Sequence, residues 1–450
     1  MGIPRFVTRL LLVLLGLAWP GWTLPAWAQQ PSPANVVLIV TDDLGYGDLG
    51  SYGAPDIRTP NIDRLAADGV RLTDFYASGA TCTPTRAALI IGRYQQRVEL
   101  ERPIGSGADA GLPARGHSLP QLLRNNGYAT ALIGKWHLGY KPEFSPNAHG
   151  FDYFFGFKSG YVDYYQHTGG DGEHDLFENE TPAHVAGYMT DLITERSVRF
   201  IEEHAARPFF VEVAYSAPHW PYQVPDRPST ARDDSIHVQP YEADAGTRED
   251  YAAMLERADQ GVGALMAALE RLGLAGNTLV IFTSDNGGEW LSRNAPLFHR
   301  KWSLWEGGIR VPAIVRWPGR LSAGEVSAQA GTTMDLTASI LAATGTPVPA
   351  GVVLDGIDLL PILAGRAAVV ERTLFWRTVY INRRQRAVRS GDWKLVLDGE
   401  AAMVFNLRTD IGERNDLARE RQDVARRLRP LLAAWEENVD ADARAAAAFR

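Results

Sequence analysis

Two apolar runs of strand length stand far apart in the chain, and both end in acidic residues. Residues 35–40 (Asn-Val-Val-Leu-Ile-Val) are followed by Thr41-Asp42-Asp43, and residues 278–283 (Thr-Leu-Val-Ile-Phe-Thr) by Ser284-Asp285-Asn286. Continuous apolar, β-branched runs are typical of strands that are buried on both faces, as in parallel sheets. Ligands of such sheets bind beyond the carboxyl ends of the strands. The pattern therefore predicts a parallel sheet with a polar site at the ends of these two strands.

Further segments extend this pattern into an alternation of strands and helices. Residues 251–272 place apolar side chains at helical spacing. Additional strands are expected at residues 128–134, 208–215 and 311–317. Residues 150–175, which are rich in aromatic residues and glycine, are expected to form loops over the sheet. The alternation predicts an α/β fold with a doubly wound, mostly parallel sheet.

The pattern changes after about residue 365. A helix is expected at about 420–437, after four short strands separated by turns, at residues 374–380, 386–389, 393–397 and 403–406. Short strands followed by a helix are typical of a small α+β subdomain. We therefore expect a main domain over residues 31–365 and a C-terminal subdomain, a short antiparallel sheet plus a helix, over residues 366–450.

The first 28 residues have the pattern of a secretory signal peptide. Two arginines precede an apolar run at residues 10–18, and Ala26-Trp27-Ala28 supplies small residues for a cleavage site. A membrane anchor is the competing interpretation, but Pro20 and Pro25 interrupt the helix that a span needs. No later segment approaches the roughly 18 apolar residues of a span. We expect an exported protein, periplasmic or secreted, with no membrane span in the mature chain.

Composition restricts the class of protein further. Of the 450 residues, 45% are hydrophobic and 22% are charged, which is ordinary for a globular protein and excludes a disordered or fibrous chain. The formal net charge is −8, so we expect no nucleic-acid partner, and an anionic substrate would need a local basic pocket. The chain has one cysteine, Cys82, which excludes an intrachain disulfide framework and a thiolate metal cluster.

The two acidic strand ends offer a set of hard oxygen ligands. Asp42, Asp43, Asp285 and Asn286 all carry carboxylate or amide oxygens, and such ligands suit Ca²⁺ or Mg²⁺ and suit zinc poorly. Each acid alone could equally stabilise a turn after its strand, because Asp is a common turn residue. Three carboxylates brought together without a cation would repel one another. The presence of two such strand ends therefore favours a metal site.

Cys82 stands at the start of a predicted helix. The segment Cys82-Thr83-Pro84-Thr85-Arg86 leads into an apolar run at residues 87–91. Pro84 fits an early helical position and Thr83 fits the N-cap, so Cys82 is expected where backbone N–H groups favour an anion. A single cysteine is more commonly buried packing. As a thiolate nucleophile it would need a base that the local sequence does not specify, so both interpretations stay open on the residues alone.

The same five residues, followed by Gly92-Arg93, resemble the C-x-P-x-R motif of the type I, formylglycine-dependent sulfatases, with Thr85 where that family usually has Ser or Ala. Further segments that resemble the family lie, in the family's order, at residues 41–48, 59–63, 134–139, 216–219, 284–287 and 301–310. The pattern is most similar to the arylsulfatase A and N-acetylgalactosamine-6-sulfatase group. The resemblance implies an alkaline-phosphatase-like α/β fold with a small C-terminal subdomain, and it implies hydrolysis of sulfate monoesters.

The resemblance also implies the chemistry of residue 82. In the family, a formylglycine-generating enzyme converts the motif cysteine to Cα-formylglycine, whose hydrate is a geminal diol. One hydroxyl attacks sulfur, and the other later expels sulfate by collapse to the aldehyde. By resemblance, Asp42, Asp43, Asp285 and Asn286, together with residue 82, hold Ca²⁺ rather than Mg²⁺. Asp285 additionally takes the proton from the attacking hydroxyl.

The basic residues acquire their expected roles in the same way. By resemblance, Arg86 stabilises the formylglycine oxygens, and Lys135 and Lys301 bind the sulfate oxygens. His219 also contacts the substrate and protonates the leaving alcohol, while His137 assists collapse of the sulfated intermediate. One arginine, two lysines and a divalent cation outweigh three carboxylates, so the pocket is net positive, which suits a sulfate monoester.

The identity of the substrate and two rival functions stay open at this stage. The substrate could be a small aryl or steroid sulfate or a sulfated saccharide. Residues 153–165, with Asp163 and His167, could line its cleft or could pack under a long loop. One alternative is a phosphate or phosphonate monoester hydrolase of the same fold, although no second cluster of metal-binding histidines accompanies the site. The other is a calcium-dependent binder of sulfated glycans in which Cys82 stays a thiol.

Overall fold

The apolar runs form the centre of a large sheet. The structure is a computed structural model that describes residues 1–2, 33–227, 246–380 and 383–447. In chain order, its strands are β1 (Asn35–Thr41), β2 (Val70–Leu72), β3 (Phe75–Tyr76), β4 (Ala129–Lys135), β5 (Tyr153–Phe157), β6 (Phe177–Glu178), β7 (Thr181–Pro182), β8 (Phe209–Ala214), β9 (Thr278–Ser284), β10 (Ala313–Arg316), β11 (Glu325–Ser327), β12 (Gly331–Thr332), β13 (Thr373–Tyr380), β14 (Arg383–Ser390), β15 (Trp393–Asp398) and β16 (Ala401–Asn406). Its α-helices are α1 (Pro60–Ala67), α2 (Cys82–Ile91), α3 (Leu119–Asn125), α4 (Met189–Glu203), α5 (Arg248–Arg271), α6 (Glu306–Ile309), α7 (Thr333–Thr344), α8 (Leu360–Leu363) and α9 (Gln422–Ala447).

The main sheet has the strand order β11-β2-β10-β9-β1-β8-β4-β5-β6-β7. Its central strands β9, β1, β8, β4 and β5 are parallel, and β10 runs antiparallel between β9 and β2. The strands β1 and β9 are direct neighbours in the sheet, with Thr41 opposite Ser284. The two acidic strand ends therefore meet at one edge, as the sequence predicts.

Helices cover both faces of this sheet. Alternate residues of β1 point to opposite faces. Val37 and Ile39 pack in a core with α1, α4 and α5, whereas Val36, Leu38 and Val40 pack with α2, α3 and α7. This arrangement confirms the predicted doubly wound, mostly parallel α/β sheet.

The C-terminal residues form a small antiparallel sheet with the order β13-β14-β15-β16. One face packs against α9, and the other packs against Leu304 and Ile309 of the main sheet's connections. The helix α9 begins two residues later than predicted and continues to Ala447, so the predicted end at residue 437 is wrong. Tertiary contacts account for the extension, because Val439 is fully buried and Asp440 pairs with Arg377. The division into domains at residue 365 stays a prediction.

The interpretation of residues 150–175 as loops is wrong in part. Tyr153–Phe157 forms β5, which pairs in parallel with β4, and its phenylalanines are fully buried. Gly156 (φ +156°) lies so close to β4 that a Cβ atom there would be 1.9 Å from the carbonyl oxygen of Gly134. The glycine that suggests a loop is therefore needed for close strand pairing.

The predicted signal peptide at residues 1–28 lies outside the described residues, apart from Met1 and Gly2. In the part of the chain that the structure describes, we find no helix with the length and apolar character needed to cross a membrane.

Candidate active site

The carboxyl ends of β1 and β9 carry a buried group of polar side chains. Asp42 and Asp43 follow β1, Asp285 and Asn286 follow β9, and none of the four is more than 2% exposed. The backbone N–H of Asp43 donates to Asp285 Oδ1 at 3.3 Å, and Asn286 Nδ2 donates to Asp43 Oδ1 at 2.6 Å. Asp43 has a φ of 61°, a left-handed conformation that Asp adopts more readily than most residues. The four predicted oxygen ligands thus lie together.

Cys82 is the first residue of α2, with its Sγ 3.5 Å from Asp42 Oδ1. The predicted N-cap is wrong, because Thr81 precedes the helix and Thr83 lies inside its first turn. The Thr83 hydroxyl instead donates to the backbone oxygen of His137 at 2.8 Å. A tertiary contact therefore uses the hydroxyl that local sequence assigns to capping. Cys82 still lies at the helix N-terminus, as predicted, and beside the carboxylates.

Arg86 lies one turn further along α2 and contacts the second strand end. Its Nε and Nη2 atoms are 3.0 and 2.9 Å from Asp285 Oδ2, and its Nη1 donates to the backbone oxygen of Lys135 at 3.2 Å. Lys135 ends β4 and donates from Nζ to Asp42 Oδ2 at 2.5 Å. Both cations are fully buried, so each depends on the carboxylate it touches for charge neutralisation.

Lys301 and His219 form a second buried contact to the carboxylates. Lys301 Nζ donates to Asp43 Oδ2 at 2.8 Å and lies 3.2 Å from His219 Nε2. His219 Nδ1 lies 2.5 Å from the backbone oxygen of Trp220. Because a carbonyl can only accept, Nδ1 carries the proton, and Nε2 accepts from Lys301. Burial, with the positive charge of Lys301, lowers the pKa of His219 to about 3. Burial also disfavours charged Lys301, but Asp43 outweighs it and raises the pKa of Lys301 well above its usual value, so in this arrangement Lys301 is charged and His219 is neutral.

His137 follows β4 but leaves the strand geometry. Its φ of 56° is outside the extended region, so the alternation of side chains along β4 does not extend to it. Its Nε2 lies 3.0 Å from the backbone oxygen of Ile104, and its buried Nδ1 has no hydrogen-bond partner among the described residues. Burial, with the positive charge of Lys135, lowers the pKa of His137 well below its usual value. His137 is therefore a neutral side chain with one nitrogen available to a ligand or a proton.

The carboxylates share the positive charge of the site unequally. Burial and the negative charge of Asp285 raise the pKa of Asp42 to about 8. Burial also disfavours ionised Asp43, but Lys301 outweighs it and lowers the pKa of Asp43 to about 2. At Asp285, burial is likewise outweighed, here by Arg86, and the pKa is lowered. Asp42 is therefore the carboxyl group whose ionised form is disfavoured in the cluster, and an added cation would stabilise that form.

A cavity of about 480 Å³ borders this cluster, a volume within the range of about 300–1,000 Å³ for small-molecule sites. Cys82, His137, His219 and Lys301 form part of its wall, whereas Lys135 lies below the surface. The remaining wall comes from residues 103–106, from the aromatic segment before β6, from Trp220, from the loop between β9 and α6 and from the C-terminal sheet.

The aromatic segment at residues 153–165 fulfils both of the roles left open by the sequence. Tyr161 lines the cavity, with its ring centroid 4.2 Å from that of Trp220. Asp163 is buried and accepts from Gln223 Nε2 at 2.6 Å. His167, just beyond the segment, contacts a backbone oxygen. Tyr161 and Gly160 therefore border the cavity, whereas Asp163 and His167 are buried outside its wall.

Comparison with known proteins decides the family. A family model described as Sulfatase matches residues 34–346, and one described as N-sulphoglucosamine sulphohydrolase, C-terminal, matches residues 295–438. The chain belongs to the sulfatase family. It is a sulfuric ester hydrolase.

Relatives and solved structures support this assignment over most of the chain. The sulfatase is 36% identical to the N-acetylgalactosamine-6-sulfatase of Sus scrofa, over 81% of this chain and 72% of that one. It is also 36% identical to the arylsulfatase A of Homo sapiens, over 88% and 78% of the two chains. The solved structure described as "Crystal structure of Ps i-CgsB in complex with k-i-k-neocarrahexaose" superposes with a TM-score of 0.80 at 31% identity, covering 89% of this chain and 93% of that one. The predicted family and fold are confirmed.

The donor groups of the sulfatase fit a hard divalent cation. Asp42, Asp43, Cys82 and His219 each bring one possible ligand atom within 4.8 Å of the others. In addition, Asn286 Oδ1 is buried and has no hydrogen-bond partner in the described part of the chain. A buried oxygen without a partner is costly unless a ligand satisfies it. Carboxylate and amide oxygens of this kind are the donors that Ca²⁺ and Mg²⁺ prefer.

The predicted ligand set and this group of donors overlap only in part. Asp42, Asp43 and Cys82 belong to both. His219 lies among the donors although the sequence assigns it to the leaving group, and the predicted ligand Asp285 is bound to Arg86.

Several residues that line the cavity of the sulfatase are not predicted from the sequence. Glu289 and Trp290 directly follow the segment Ser-Asp-Asn-Gly-Gly at residues 284–288, and Arg300 directly precedes Lys301, so proximity to a motif is the signal that could have found them. Thr378, Arg383 and Gln385 reach the cavity from the C-terminal sheet. Nothing in the local sequence signals these three.

Proposed function

We propose that this sulfatase hydrolyses sulfate monoesters at residue 82, after a formylglycine-generating enzyme has converted Cys82 to formylglycine. The placement of Cys82 carries the proposal, since it lies in the cavity wall beside Asp42. Burial raises the pKa of its thiol, so the unmodified side chain stays protonated and is a poor nucleophile. A cysteine at this position is therefore more useful as the precursor of another group.

When formylglycine is present, its hydrate supplies a hydroxyl able to attack sulfur. Asp285 is the proposed acceptor of the proton from that hydroxyl. Its lowered pKa keeps it ionised at neutral pH, and two contacts to Arg86 fix its orientation. The proposed role of Arg86 at the oxygens of residue 82 fits its position one turn along the same helix. Both groups are buried, which strengthens their electrostatic effect on a reacting centre.

The sulfate group of the substrate is proposed to contact Lys301, His219 and Lys135. Lys301 and His219 are in the cavity wall, and Lys135 adds positive charge from below. His219 is the proposed donor of the proton to the leaving alcohol. Its Nδ1 is bound to the backbone oxygen of Trp220, so Nε2, the nitrogen 3.2 Å from Lys301 Nζ, is the atom that would hand the proton to the departing oxygen. The negative charge of a bound sulfate favours the protonated imidazole that this step needs. His137, with its unpartnered Nδ1, is the proposed aid to release of sulfate.

Ca²⁺ is the proposed metal, held by Asp42, Asp43, Asp285 and Asn286 together with residue 82. The oxygen donors, the unpartnered Asn286 oxygen and the raised pKa of Asp42 support it. When bound, the cation would supply positive charge beside residue 82 and the sulfate oxygens. Mg²⁺ fits less well because it demands tighter octahedral geometry and retains waters.

A sulfated saccharide is the proposed substrate class. The names of the relatives support it, since one is an N-acetylgalactosamine-6-sulfatase and one related structure holds a neocarrahexaose. The aromatic wall formed by Tyr161 and Trp220 offers a surface for a sugar ring. We further propose that residues 1–28 direct export to the periplasm or the medium, which N-terminal sequencing of the mature protein tests.

The test of the function compares the wild type, produced together with a formylglycine-generating enzyme, with Cys82→Ser and Cys82→Ala. We expect a tryptic peptide of the wild type to show replacement of the CH₂SH group by CHO. Both variants should fold, with unchanged circular dichroism, because their side chains are no larger than cysteine. Sulfate release from sulfated monosaccharides should fall by more than about 10³-fold. Turnover by Cys82→Ala at the wild-type rate would refute the proposal.

A further inference from the structure

The cavity extends beyond the groups that would contact a sulfate ester. Between β9 and α6, its wall contains Glu289, Trp290, Arg300 and Trp302. This part adjoins Lys301 in sequence and lines the same cavity, so a group attached to a bound sulfate ester can reach it. The wall is therefore placed to select the remainder of the substrate.

Arg300 lies over the face of an aromatic ring. Its guanidinium carbon lies 3.2 Å from the ring centroid of Trp290, which is 43% exposed. A stacked guanidinium keeps its N–H donors at its edge, where they can form two parallel hydrogen bonds to a carboxylate or sulfate. The stacking thus orients Arg300 for an anion without using its donors.

The charge of Arg300 lacks a close counter-charge. Within the described residues, no carboxylate lies within ion-pair distance of it. Burial lowers the pKa of Arg300, and the negative charge of Glu289 only partly offsets this effect. Arg383, in the wall of the same cavity, is instead paired with Asp398, with Nε 2.6 Å from Oδ1. Arg300 therefore contrasts with Arg383 as a cavity arginine whose donors are available.

We propose that Arg300, stacked on Trp290, binds a second anionic group of the substrate. This inference rests on the proposed function and names its substrate more closely. The sulfatase prefers a saccharide that carries an anionic group in addition to the sulfate ester that is cleaved. A second sulfate and a uronate carboxylate share the chemistry that a guanidinium recognises, and the substrates of the test distinguish them.

The test uses three sulfated disaccharides with the same cleavable ester. The first has no other charge, the second carries a second sulfate, and the third carries a uronate carboxylate. For the wild type, kcat/KM should be higher for the second or the third than for the first. Arg300→Gln should lower that preference by about tenfold, as expected for a charge-assisted contact. Arg300→Lys should retain part of the preference, because the charge stays but the planar fork is lost.

The matched control is Arg58→Gln, which removes one positive charge from an exposed position outside the cavity. It should leave the preference unchanged. If Arg300→Gln lowers kcat/KM equally for all three disaccharides, or leaves the preference intact, the inference is wrong. The preferred second anion, sulfate or carboxylate, follows from which of the two substrates loses its advantage.

A binding measurement separates this inference from the proposed function. Calorimetry with the Cys82→Ala protein measures the affinity for the same three disaccharides without turnover. The inference is supported if Cys82→Ala binds the doubly anionic compounds more tightly and Cys82→Ala/Arg300→Gln does not. This holds even if the wild type releases no sulfate, a result that would contradict only the proposed function. Equal affinities for all three compounds would overturn the inference even in an active enzyme.

Discussion

Glu212→Gln is expected to change how the stability of the protein depends on pH. Glu212 lies in the middle of β8, opposite Leu38 of β1 and Leu132 of β4, and it is 3% exposed. Its Oε2 atom is buried and has no hydrogen-bond partner in the part of the chain that the structure describes. Burial raises the pKa of Glu212 from 4.5 to about 7, although the positive charge of Arg86 opposes the shift.

The sign and size of the effect follow from the two pKa values. A carboxyl group with a higher pKa in the folded chain favours folding only while it is protonated. Its contribution is complete below about pH 4.5 and is lost as the pH rises through about 7. At 1.36 kcal/mol for each pKa unit, this loss amounts to about 3 kcal/mol of unfolding free energy. Glutamine has the same shape and cannot ionise, so the advantage of Glu212→Gln over the wild type should grow by about 3 kcal/mol between about pH 4.5 and pH 8.

Urea unfolding followed by tryptophan fluorescence, repeated across this pH range, measures the difference between the two proteins. Glu325→Gln is the matched control, because Glu325 lies in β11 of the same sheet but is exposed to solvent. The difference between Glu325→Gln and the wild type should not change with pH. A difference between Glu212→Gln and the wild type that stays constant across the range would refute the reasoning, since it would show that Glu212 ionises equally easily in the folded chain.

Three further substitutions test the site and its support. The buried carboxylates of Glu306 and Glu413 each lie 2.8 Å from Lys394 Nζ, and Lys394→Met removes this shared cation. Thermal and urea unfolding should show that the free energy of unfolding falls by about 3–5 kcal/mol. Unchanged stability would contradict the structure. His219→Ala should lower kcat/KM by about 10²–10⁴-fold for a sugar sulfate and much less for nitrophenyl sulfate, whose alcohol leaves without a proton; equal losses would make His219 a binding residue only. Asp42→Ala should weaken calcium binding, measured by calorimetry, together with turnover; full activity of rigorously metal-free wild type would show that calcium is not required.

The sequence predicts those parts of the molecule in which one local pattern decides the structure. Continuous apolar runs identify β1 and β9 because strands buried on both faces consist mainly of apolar residues. The acidic ends of these strands then meet because neighbouring parallel strands end at the same edge. The grouping of Asp42 and Asp285 follows from these two facts, and the structure places Thr41 opposite Ser284 as this reasoning requires.

The predictions fail where a distant part of the chain changes the local preference. Thr83 is a good N-cap by type, but its hydroxyl is used by the backbone of His137. The segment Tyr153–Phe157 resembles a loop because of its glycine, yet Gly156 is the residue that lets β5 approach β4. Likewise, Arg300 stacks on Trp290, ten positions away in an irregular loop. Such a loop has no regular residue spacing from which this contact could be predicted.

The C-terminal sheet shows why the catalytic groups alone do not define the site. Lys301 belongs to a segment that continues into α6, and the C-terminal residues hold that segment at two backbone positions. The N–H of Leu304 donates to Gln385 Oε1 at 2.9 Å, and the N–H of Glu306 donates to Glu413 Oε2 at 2.6 Å.

Buried charge fixes the same connection, because Lys394 of β15 lies between Glu306 and Glu413 with all three side chains excluded from solvent. An unpaired charge at such a position is costly, so the two parts of the chain have little freedom to shift relative to each other there. The position of Lys301 at Asp43 and His219 therefore depends on residues about a hundred positions later in the sequence. The motif around Lys301 indicates the chemistry of the ammonium group. It does not indicate the C-terminal residues that hold this group in place.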